Sequence, residues 1–531
     1  MGFSRGQRAL LVGIAACVVV GTSVLSRPQM WASDLAPRFH WPDETTNAFF
    51  ARRVATGQSM RVEEPRNTAV GNIIHPRTAN VRADGALVPG GYLGLPLWYG
   101  LLGRGIGIWA MGLFTPLLAG GALVALAYIV RVGSGEVAVA LLAAVFLALH
   151  PSWWLFSATA FLPNVPFAAL LLIGIALLVR PLAASAGGDR RVLAAWGIGG
   201  CMVGVALTMR THEALWVGAL VLLIARWRRV RWTALLAAGV GAVLPFLPVL
   251  VLQQQLYGHP FTTGYALLQE GGAAPTEFVR TGLPIPASLQ ALVAPFGWYP
   301  FTALRHAWTY LVQPYWWLVG LAGVGCAVRW RSRSTWAMLA MVLWLLLMYG
   351  SWVLADPLVR STNVWTISYV RYWIPMIVLW TPWAAYGCVW LVRRCPWRWR
   401  PLAQAVVLVG IAFLTVARAV TDPDEGLRRQ AAAIAEHRLR AQAVLAATEP
   451  DAVICSDRMD KTFFPERAVV HIAPAMAQDP NLRARLRALI DRAPVYWYAP
   501  SESVRAGLQL QEVPGGALGE QLYRVIGVAA A

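Results

Sequence analysis

The sequence predicts a polytopic, mostly α-helical membrane protein, and three observations support that class. Hydrophobic residues make up 57% of the 531 residues, and the mean hydropathy is +0.53. Charged residues make up only 13%, whereas a soluble protein carries about a quarter. The 26 tryptophans fit wide lipid interfaces, because indole rings prefer the headgroup region.

Apolar runs of about 20 residues, the length that a helix needs to cross a bilayer, predict about eleven spans. They are 9–25, 106–130, 136–150, 153–179, 192–208, 213–225, 233–251, 308–328, 335–354, 373–392 and 401–418. The first run resembles a signal peptide, but no small-x-small cleavage site follows it. We therefore interpret it as the first membrane helix. A further apolar segment, Tyr92–Gly103, is expected to form a re-entrant or interfacial helix.

The net charge of +19 comes from arginines clustered in short segments between the spans. The clusters are Arg5 and Arg8; Arg131; Arg180, Arg190 and Arg191; Arg226, Arg228, Arg229 and Arg231; Arg329, Arg331 and Arg333; and Arg393, Arg394, Arg398 and Arg400. This spacing is the positive-inside pattern rather than a nucleic-acid-binding stripe. It places the N-terminus in the cytoplasm, and the loops 27–105, 252–307 and 355–372 outside together with the C-terminus.

The tail differs from the rest of the chain, so we predict a membrane domain over 1–420 and a soluble extracytoplasmic domain over 421–531. An alternation of strand and helix indicates a small α/β fold in this tail. Its predicted elements are a helix over 424–447, a strand over Asp451–Ser456, a helix over Asn481–Arg492 and a strand over Pro494–Ala499.

Asp43 and Glu44 form an acidic pair in the large first outer loop, 27–105, where chemistry at the membrane surface could be done. The apolar residues that follow predict an amphipathic helix that stops at Gly57. Asp43 would begin that helix. Asp43 is therefore either a helix N-cap, with Glu44 as a first-turn acid, or a general base held at the helix start.

Cationic and aromatic residues at the outer ends of spans are candidates for phosphate binding. Arg210 lies in a tight turn, and Arg371 and Tyr372 open a late span. The planar fork of arginine suits a lipid phosphate. The alternative for each residue is interfacial anchoring or an ion pair between helix ends.

Four segments together resemble one family. The loop "PDET…FFARRVATGQ" is similar to the opening of the dolichyl-phosphate-mannose and aminoarabinose-type transferases, which are glycosyltransferases of the GT-C fold. The segments "YGHPFTTGY", "APFGWYP" and "RYWIP" also look like bacterial members of that group. The resemblance covers most of residues 1–420, and it implies a multi-pass protein of the bacterial-type inner membrane.

The resemblance implies transfer of a sugar from a polyprenyl-phosphate-linked donor to a lipid, glycan or protein acceptor, with membrane lipids as the surroundings. Asp43 matches the family's loop aspartate, expected to be the general base, and Glu44 matches its neighbour, expected to help hold the acceptor. Arg371, Arg210 and Tyr372 are expected at the donor phosphate. Further acceptor or loop contacts are expected from four outer-loop residues: His75, Arg77, His259 and Tyr265. A lone His259 in a Gly- and Pro-containing turn could equally be a surface residue.

The sequence departs from the family pattern in one place. Members often carry a second acid early in a later span, but the matching stretch, Phe161–Val165, has none. A second carboxylate would have to come from Asp84 or Glu213. No motif identifies a cofactor, and a divalent metal is left open.

Three other functions compete with sugar transfer from a polyprenyl phosphate. A lipid or sugar transporter or flippase would carry charged or broken helices in two matching halves, and no such halves are visible. A membrane scaffold would leave the acidic loop unexplained. An oligosaccharide ligase or polymerase with a diphosphate-linked donor would also need a base and arginine on one face.

Overall fold

The computed structural model describes residues 3–26, 36–180, 188–265, 296–352, 369–423, 426–472, 479–499 and 508–528. Within these ranges, seven helices are long and apolar enough to cross a membrane, and up to nine spans result if each of two bent helix pairs counts as one. The predicted class, a polytopic helical membrane protein with a small α/β tail, is confirmed. Most of the predicted loops 252–307 and 355–372 lies outside the described residues.

Most of the chain up to residue 419 is helical. Its helices are α1 (Arg5–Ser26), α2 (Pro42–Ala55), α3 (Gly94–Ile106), α4 (Phe114–Ser134), α5 (Val137–Ala148), α6 (Pro151–Ala158), α7 (Asn164–Leu178), α8 (Gly188–Met209), α9 (Ala214–Arg228), α10 (Trp232–Val243), α11 (Phe246–Tyr257), α12 (Pro300–Ala307), α13 (Trp316–Val328), α14 (Arg333–Gly350), α15 (Ile374–Arg394) and α16 (Arg400–Ala419).

Proline residues divide the helices of the bundle at positions that differ from the predicted span boundaries. The predicted spans 136–150 and 153–179 meet at a bend of 57° between α5 and α6, where Pro151 occupies the first turn of α6. The second predicted span is then divided again, because α7 starts only after Pro163. Proline cannot donate the backbone hydrogen bond that a continuous helix needs, so each proline starts a new helix.

The tail is a three-layer α/β unit. Strands β3 (Val453–Ser456), β4 (Ala468–His471), β5 (Val495–Ala499), β6 (Leu508–Val513) and β7 (Gln521–Val528) form one sheet in the order β4-β3-β5-β7-β6. Strand β3 is parallel to β4 and β5, and β7 is antiparallel to β5 and β6. Helices α17 (Leu427–Ala447), α18 (Asp460–Phe463) and α19 (Pro480–Ile490) complete the unit.

Alternate residues of the sheet pack against opposite layers, as the two-residue period of a strand requires. Val453 and Cys455 pack with the leucines of α19, whereas Ile454 packs with Val444 of α17. The two predicted strands and two predicted helices of the tail are therefore confirmed, within a residue or three at each end. Strands β4, β6 and β7 were not predicted.

Residues 36–105 of the first long loop form a layer between the bundle and the tail. It carries α2, α3 and a hairpin of β1 (Ala79–Val81) and β2 (Leu87–Pro89). Val70 and Ile74 of this loop join one apolar core of the tail, and Leu87 joins the other. On the opposite side, Ala48 and Ala51 of α2 belong to the bundle core. Because Phe49 of α2 also packs against the second tail core, α2 contacts both the bundle and the tail.

Candidate active site

Helix α2 begins as the sequence predicts, but Asp43 does not cap it. The N-cap is Trp41, with extended backbone angles, and Pro42 takes the first helical position. The side chain of Glu44 closes the turn instead, because its Oε2 accepts a hydrogen bond from the Trp41 backbone N–H at 3.4 Å. This is the reciprocal half of a capping box. The carboxylate of Asp43 is therefore free to act outside its own helix.

Asp43 forms an ion pair with Arg371, which is 328 residues away in the chain. Nη2 of Arg371 donates to Oδ2 of Asp43 at 2.6 Å. The arginine side chain is 9% exposed and that of the aspartate 29% exposed. Arg371 lies in the single turn Val370–Trp373 that precedes α15. The proposed base and the proposed phosphate ligand of the sequence analysis are thus in direct contact.

The remaining donors of Arg371 lack an acceptor. Its Nε and Nη1 atoms are buried and have no hydrogen-bond partner among the described residues. A buried donor left unpaired costs about 1–3 kcal/mol, and more when it is charged, so these N–H groups indicate a binding site for an anion. The hydroxyl of Tyr372 lies 3.3 Å from Nη2 of the same guanidinium.

The turn Phe161–Asn164 forms hydrogen bonds with both segments that carry the ion pair. Nδ2 of Asn164 donates to the backbone oxygen of Arg371 at 3.1 Å, and Nδ2 of Asn47, in α2, donates to the backbone oxygen of Phe161 at 3.0 Å. The sequence shows no acid in this stretch, and the structure shows that it supports the backbone of the site. Neither asparagine was predicted.

Arg210 does not face an open position, contrary to the prediction that it helps to bind the donor phosphate. Its Nη2 lies 2.7 Å from Oε1 of Glu213, and its Nε donates to the same oxygen at 2.9 Å. Glu213 is fully buried and also accepts from Nε1 of Trp216 at 2.5 Å. The charges of Arg210 and Glu213 neutralise each other. This ion pair is the alternative to phosphate binding that the sequence left open. Glu213 is equally unavailable as a second carboxylate.

Aromatic residues connect the two arginines into one network. The ring of Tyr372 lies 5.1 Å from the guanidinium of Arg371 and 5.3 Å from that of Arg210. Beyond Arg210, Nε2 of His212 lies 2.6 Å from the hydroxyl of Tyr349, and its Nδ1 lies 2.7 Å from that of Tyr92. Tyr92, Tyr349 and the role of His212 were not predicted from the sequence. An i, i+3 spacing of Arg210 and Glu213 was the signal that could have revealed their pairing.

The outer-loop candidates separate into two groups. Tyr265 reaches the site, where its ring lies 5.0 Å from that of Tyr92 and where the charges of Asp43 and Arg371 act on it. His259 does not, because it is exposed and accepts a hydrogen bond from the backbone of Phe261 at 3.3 Å. The surface alternative for His259 is therefore correct.

His75 and Arg77 face the tail rather than the site. The backbone of His75 forms a parallel bridge to Val470, and a guanidinium nitrogen of Arg77 lies 2.8 Å from Oδ1 of Asp460. Their predicted role in acceptor contact gains no support from these contacts, because the backbone of His75 and the side chain of Arg77 both contact the tail. Asp84 is likewise paired, with Arg82 at 3.2 Å and Arg61 at 3.4 Å. Among the described residues, no group of three or more His, Cys, Asp or Glu side chains could hold a metal ion.

Glu44 is fully buried, which argues against the predicted contact with an acceptor. Burial raises the pKa of its carboxyl to about 8, against the opposing effects of backbone N–H groups and Arg371. Because the folded pKa exceeds the unfolded value, the stability that this group contributes is fully present below about pH 4.5. That stability is lost as the pH rises towards 8.

We therefore expect Glu44→Gln to remove a pH dependence of stability while preserving turnover within a few-fold. Glutamine keeps an acceptor for the Trp41 N–H, and it has no charge to bury. Thermal unfolding between pH 5 and pH 8 should show a falling melting temperature for the wild type and a flatter profile for the variant. If Glu44→Gln abolished activity at every pH, Glu44 would be a catalytic group instead.

The fold is similar to that of two crystal structures of ArnT from Cupriavidus metallidurans. The structure bound to undecaprenyl phosphate has a TM-score of 0.54 at 13% identity, with 100% of each chain covered. The structure in the apo state has a TM-score of 0.48 at 13% identity, with 99% of each chain covered. No protein-family model and no curated protein sequence matches the chain. The chain therefore shares its fold over its full length with ArnT, which confirms the GT-C-like bundle that the sequence motifs imply.

Proposed function

We propose that the protein is a membrane glycosyltransferase that uses a polyprenyl-phosphate-linked sugar as its donor. One observation carries this proposal: Arg371, whose buried Nε and Nη1 atoms have no partner among the described residues, contacts the carboxylate of Asp43. An anion-binding group and a base thus lie side by side at the start of a membrane span. The ArnT structure with a TM-score of 0.54 contains undecaprenyl phosphate, which supports the same class of donor here.

The proposed reaction assigns one step to each partner of the ion pair. A hydroxyl or amine of the acceptor attacks the anomeric carbon while Asp43 takes its proton. The bond between that carbon and the phosphate oxygen breaks, and polyprenyl phosphate leaves with the electron pair. Arg371 stabilises the charge that develops on the leaving phosphate, because a fixed cation needs no reorganisation during the step.

The charges at the site favour a monophosphate over a diphosphate donor. Of the two buried arginines described at the site, Arg210 is neutralised by Glu213, which leaves Arg371 as the one with open donors in this part of the structure. One guanidinium with open N–H groups on Nε and Nη1 supplies a single positive charge to the leaving phosphate. A diphosphate-linked donor, as used by the ligase alternative, would release a more highly charged group and require further cations or a metal.

We also propose that the site lies on the outer face of a bacterial-type inner membrane. Arg371 precedes α15, and Arg393 and Arg394 lie in its last turn. A helix of 21 residues is about 32 Å long, so the site and the arginine clusters lie at opposite membrane surfaces. Because arginine clusters mark the cytoplasmic side, Asp43 and the tail face outward.

Purified protein in detergent tests this function with two matched sets of labelled donors, polyprenyl-phosphate sugars and polyprenyl-diphosphate sugars. We expect transfer or slow hydrolysis only from the monophosphate set, because the described residues of the site offer one open guanidinium to the leaving group. Turnover confined to the diphosphate set would support the ligase alternative. ATP-independent movement of intact lipid across vesicles, with no sugar release, would support a flippase.

A further inference from the structure

The short tail helix α18 holds the backbone that leads into α2. Nζ of Lys461, which is the only lysine in the chain, donates to the backbone oxygen of His40 at 2.5 Å. His40 lies three residues before Asp43. A residue of the tail thus fixes the chain directly ahead of the turn that presents the proposed base.

A second set of hydrogen bonds connects Asp460, the neighbouring residue of α18, to the first turn of α2. Asp460 is fully buried and accepts from the backbone N–H and from Nε of Arg77, at 2.8 and 2.9 Å. The next residue, Thr78, donates its hydroxyl to the backbone oxygen of Pro42 at 3.0 Å. The same hydroxyl lies 2.7 Å from that of Thr46. Two consecutive residues of the tail are therefore linked to both sides of Asp43.

Contacts on either side extend this attachment. The ring of Phe464 packs edge-on against Phe49 of α2, with centroids 4.7 Å apart. The carboxylate of Glu466 accepts from the backbone of Ala36 at 2.9 Å and pairs with the buried Arg38 at 3.0 Å. None of these tail residues contacts Arg371 in the described structure. The tail is therefore attached to the segment that carries the base.

We propose that Lys461 and Asp460 are positioning residues, through which the tail domain sets the location of Asp43 relative to the donor bound at Arg371. This inference rests on the proposed function, and it assigns the tail a part in the transfer step. A misplacement of about 1 Å in a reacting group can lower the rate by about 10²-fold. Loss of the Lys461 contact should therefore lower kcat and leave the KM for donor near that of the wild type.

The test compares Lys461→Met with Lys461→Arg in the full-length protein. Lys461→Met keeps the length of the side chain but removes the donor, so we expect kcat to fall by about 10-fold or more. Lys461→Arg keeps a donor for the His40 oxygen and should recover part of that loss. The matched control is Arg492→Met, which removes an exposed cation of the tail whose Nη1 donates to the backbone oxygen of Ala488 in α19.

Hydrogen–deuterium exchange provides a second readout that does not need turnover. Lys461→Met should speed exchange over residues 41–55 and leave strands β3 and β5 protected, whereas Arg492→Met should change neither. Unchanged exchange in 41–55, or unchanged kcat in Lys461→Met, would overturn the positioning role and leave the proposed function intact. If the wild type turned over no donor, the proposed function would fail, and the exchange result would still decide whether the tail holds α2.

Discussion

Asp43→Asn is expected to abolish sugar transfer while the protein stays folded and still binds polyprenyl phosphate. General base catalysis contributes about 10²–10⁴-fold to a rate, and asparagine cannot take the acceptor's proton. The amide oxygen of asparagine can still accept from Nη2 of Arg371, now 2.6 Å from the carboxylate. The fall should therefore appear in kcat, measured with whichever donor the wild type uses.

The matched control is Asp84→Asn, which removes a carboxylate from the same loop. Asp84 is 40% exposed and pairs with arginines at the surface, and exposed pairs of this kind contribute about 1 kcal/mol at most. We expect its turnover and thermal stability to match those of the wild type. Normal turnover by Asp43→Asn, with Asp84→Asn equally active, would remove Asp43 from the mechanism.

The local part of this site could be predicted from sequence because its signals are local. The apolar pattern after Asp43 and the positive φ of Gly57 fit a helix that starts near Pro42 and ends at Ala55. The motif that begins α15 likewise pointed to Arg371. Asp43 and Arg371 each lie within one helical turn of the sequence pattern that predicts them.

The pairing of Asp43 with Arg371 was not predictable, because it depends on the packing of segments 328 residues apart. The burial of Glu44 was hidden for the same reason, since an acid in the first helical turn is usually exposed. The contact of the tail with the first loop through Lys461 was also not predicted. A single lysine after a short strand carries no sequence signal for a contact with His40, 421 residues away.

Two of the three missed strands of the tail, β4 and β6, have a different cause. Strand β6 reads Leu-Gln-Leu-Gln-Glu-Val and alternates between partly exposed and exposed residues, so its two-residue period was visible but weakly apolar. Strand β4 has only four residues, which is too short for periodicity to distinguish it from a loop. These strands lie at the two edges of the sheet, where fewer neighbours require apolar side chains.

Arg371→Gln is expected to weaken binding of polyprenyl phosphate by about 10²-fold or more. Two charge-assisted hydrogen bonds to the phosphate are lost, each worth about 1.5–3 kcal/mol, and about 1.4 kcal/mol corresponds to a tenfold change in affinity. Arg371→Lys should recover only part of the affinity, because one ammonium cannot replace both the hydrogen bond to Asp43 and the further guanidinium N–H groups. Titration of the purified variants with polyprenyl phosphate measures the effect directly.

Arg210→Gln is the informative comparison, because the two arginines are both buried and share contact with Tyr372. Removing Arg210 leaves the carboxylate of Glu213 buried without its partner, which destabilises a protein by about 3–5 kcal/mol. We therefore expect Arg210→Gln to lower the melting temperature strongly, whereas Arg371→Gln should mainly weaken phosphate binding. If Arg371→Gln bound polyprenyl phosphate as the wild type does, the anion would have to bind elsewhere. The unpaired Nε and Nη1 atoms of Arg371 would then lack the ligand that this mechanism assigns to them.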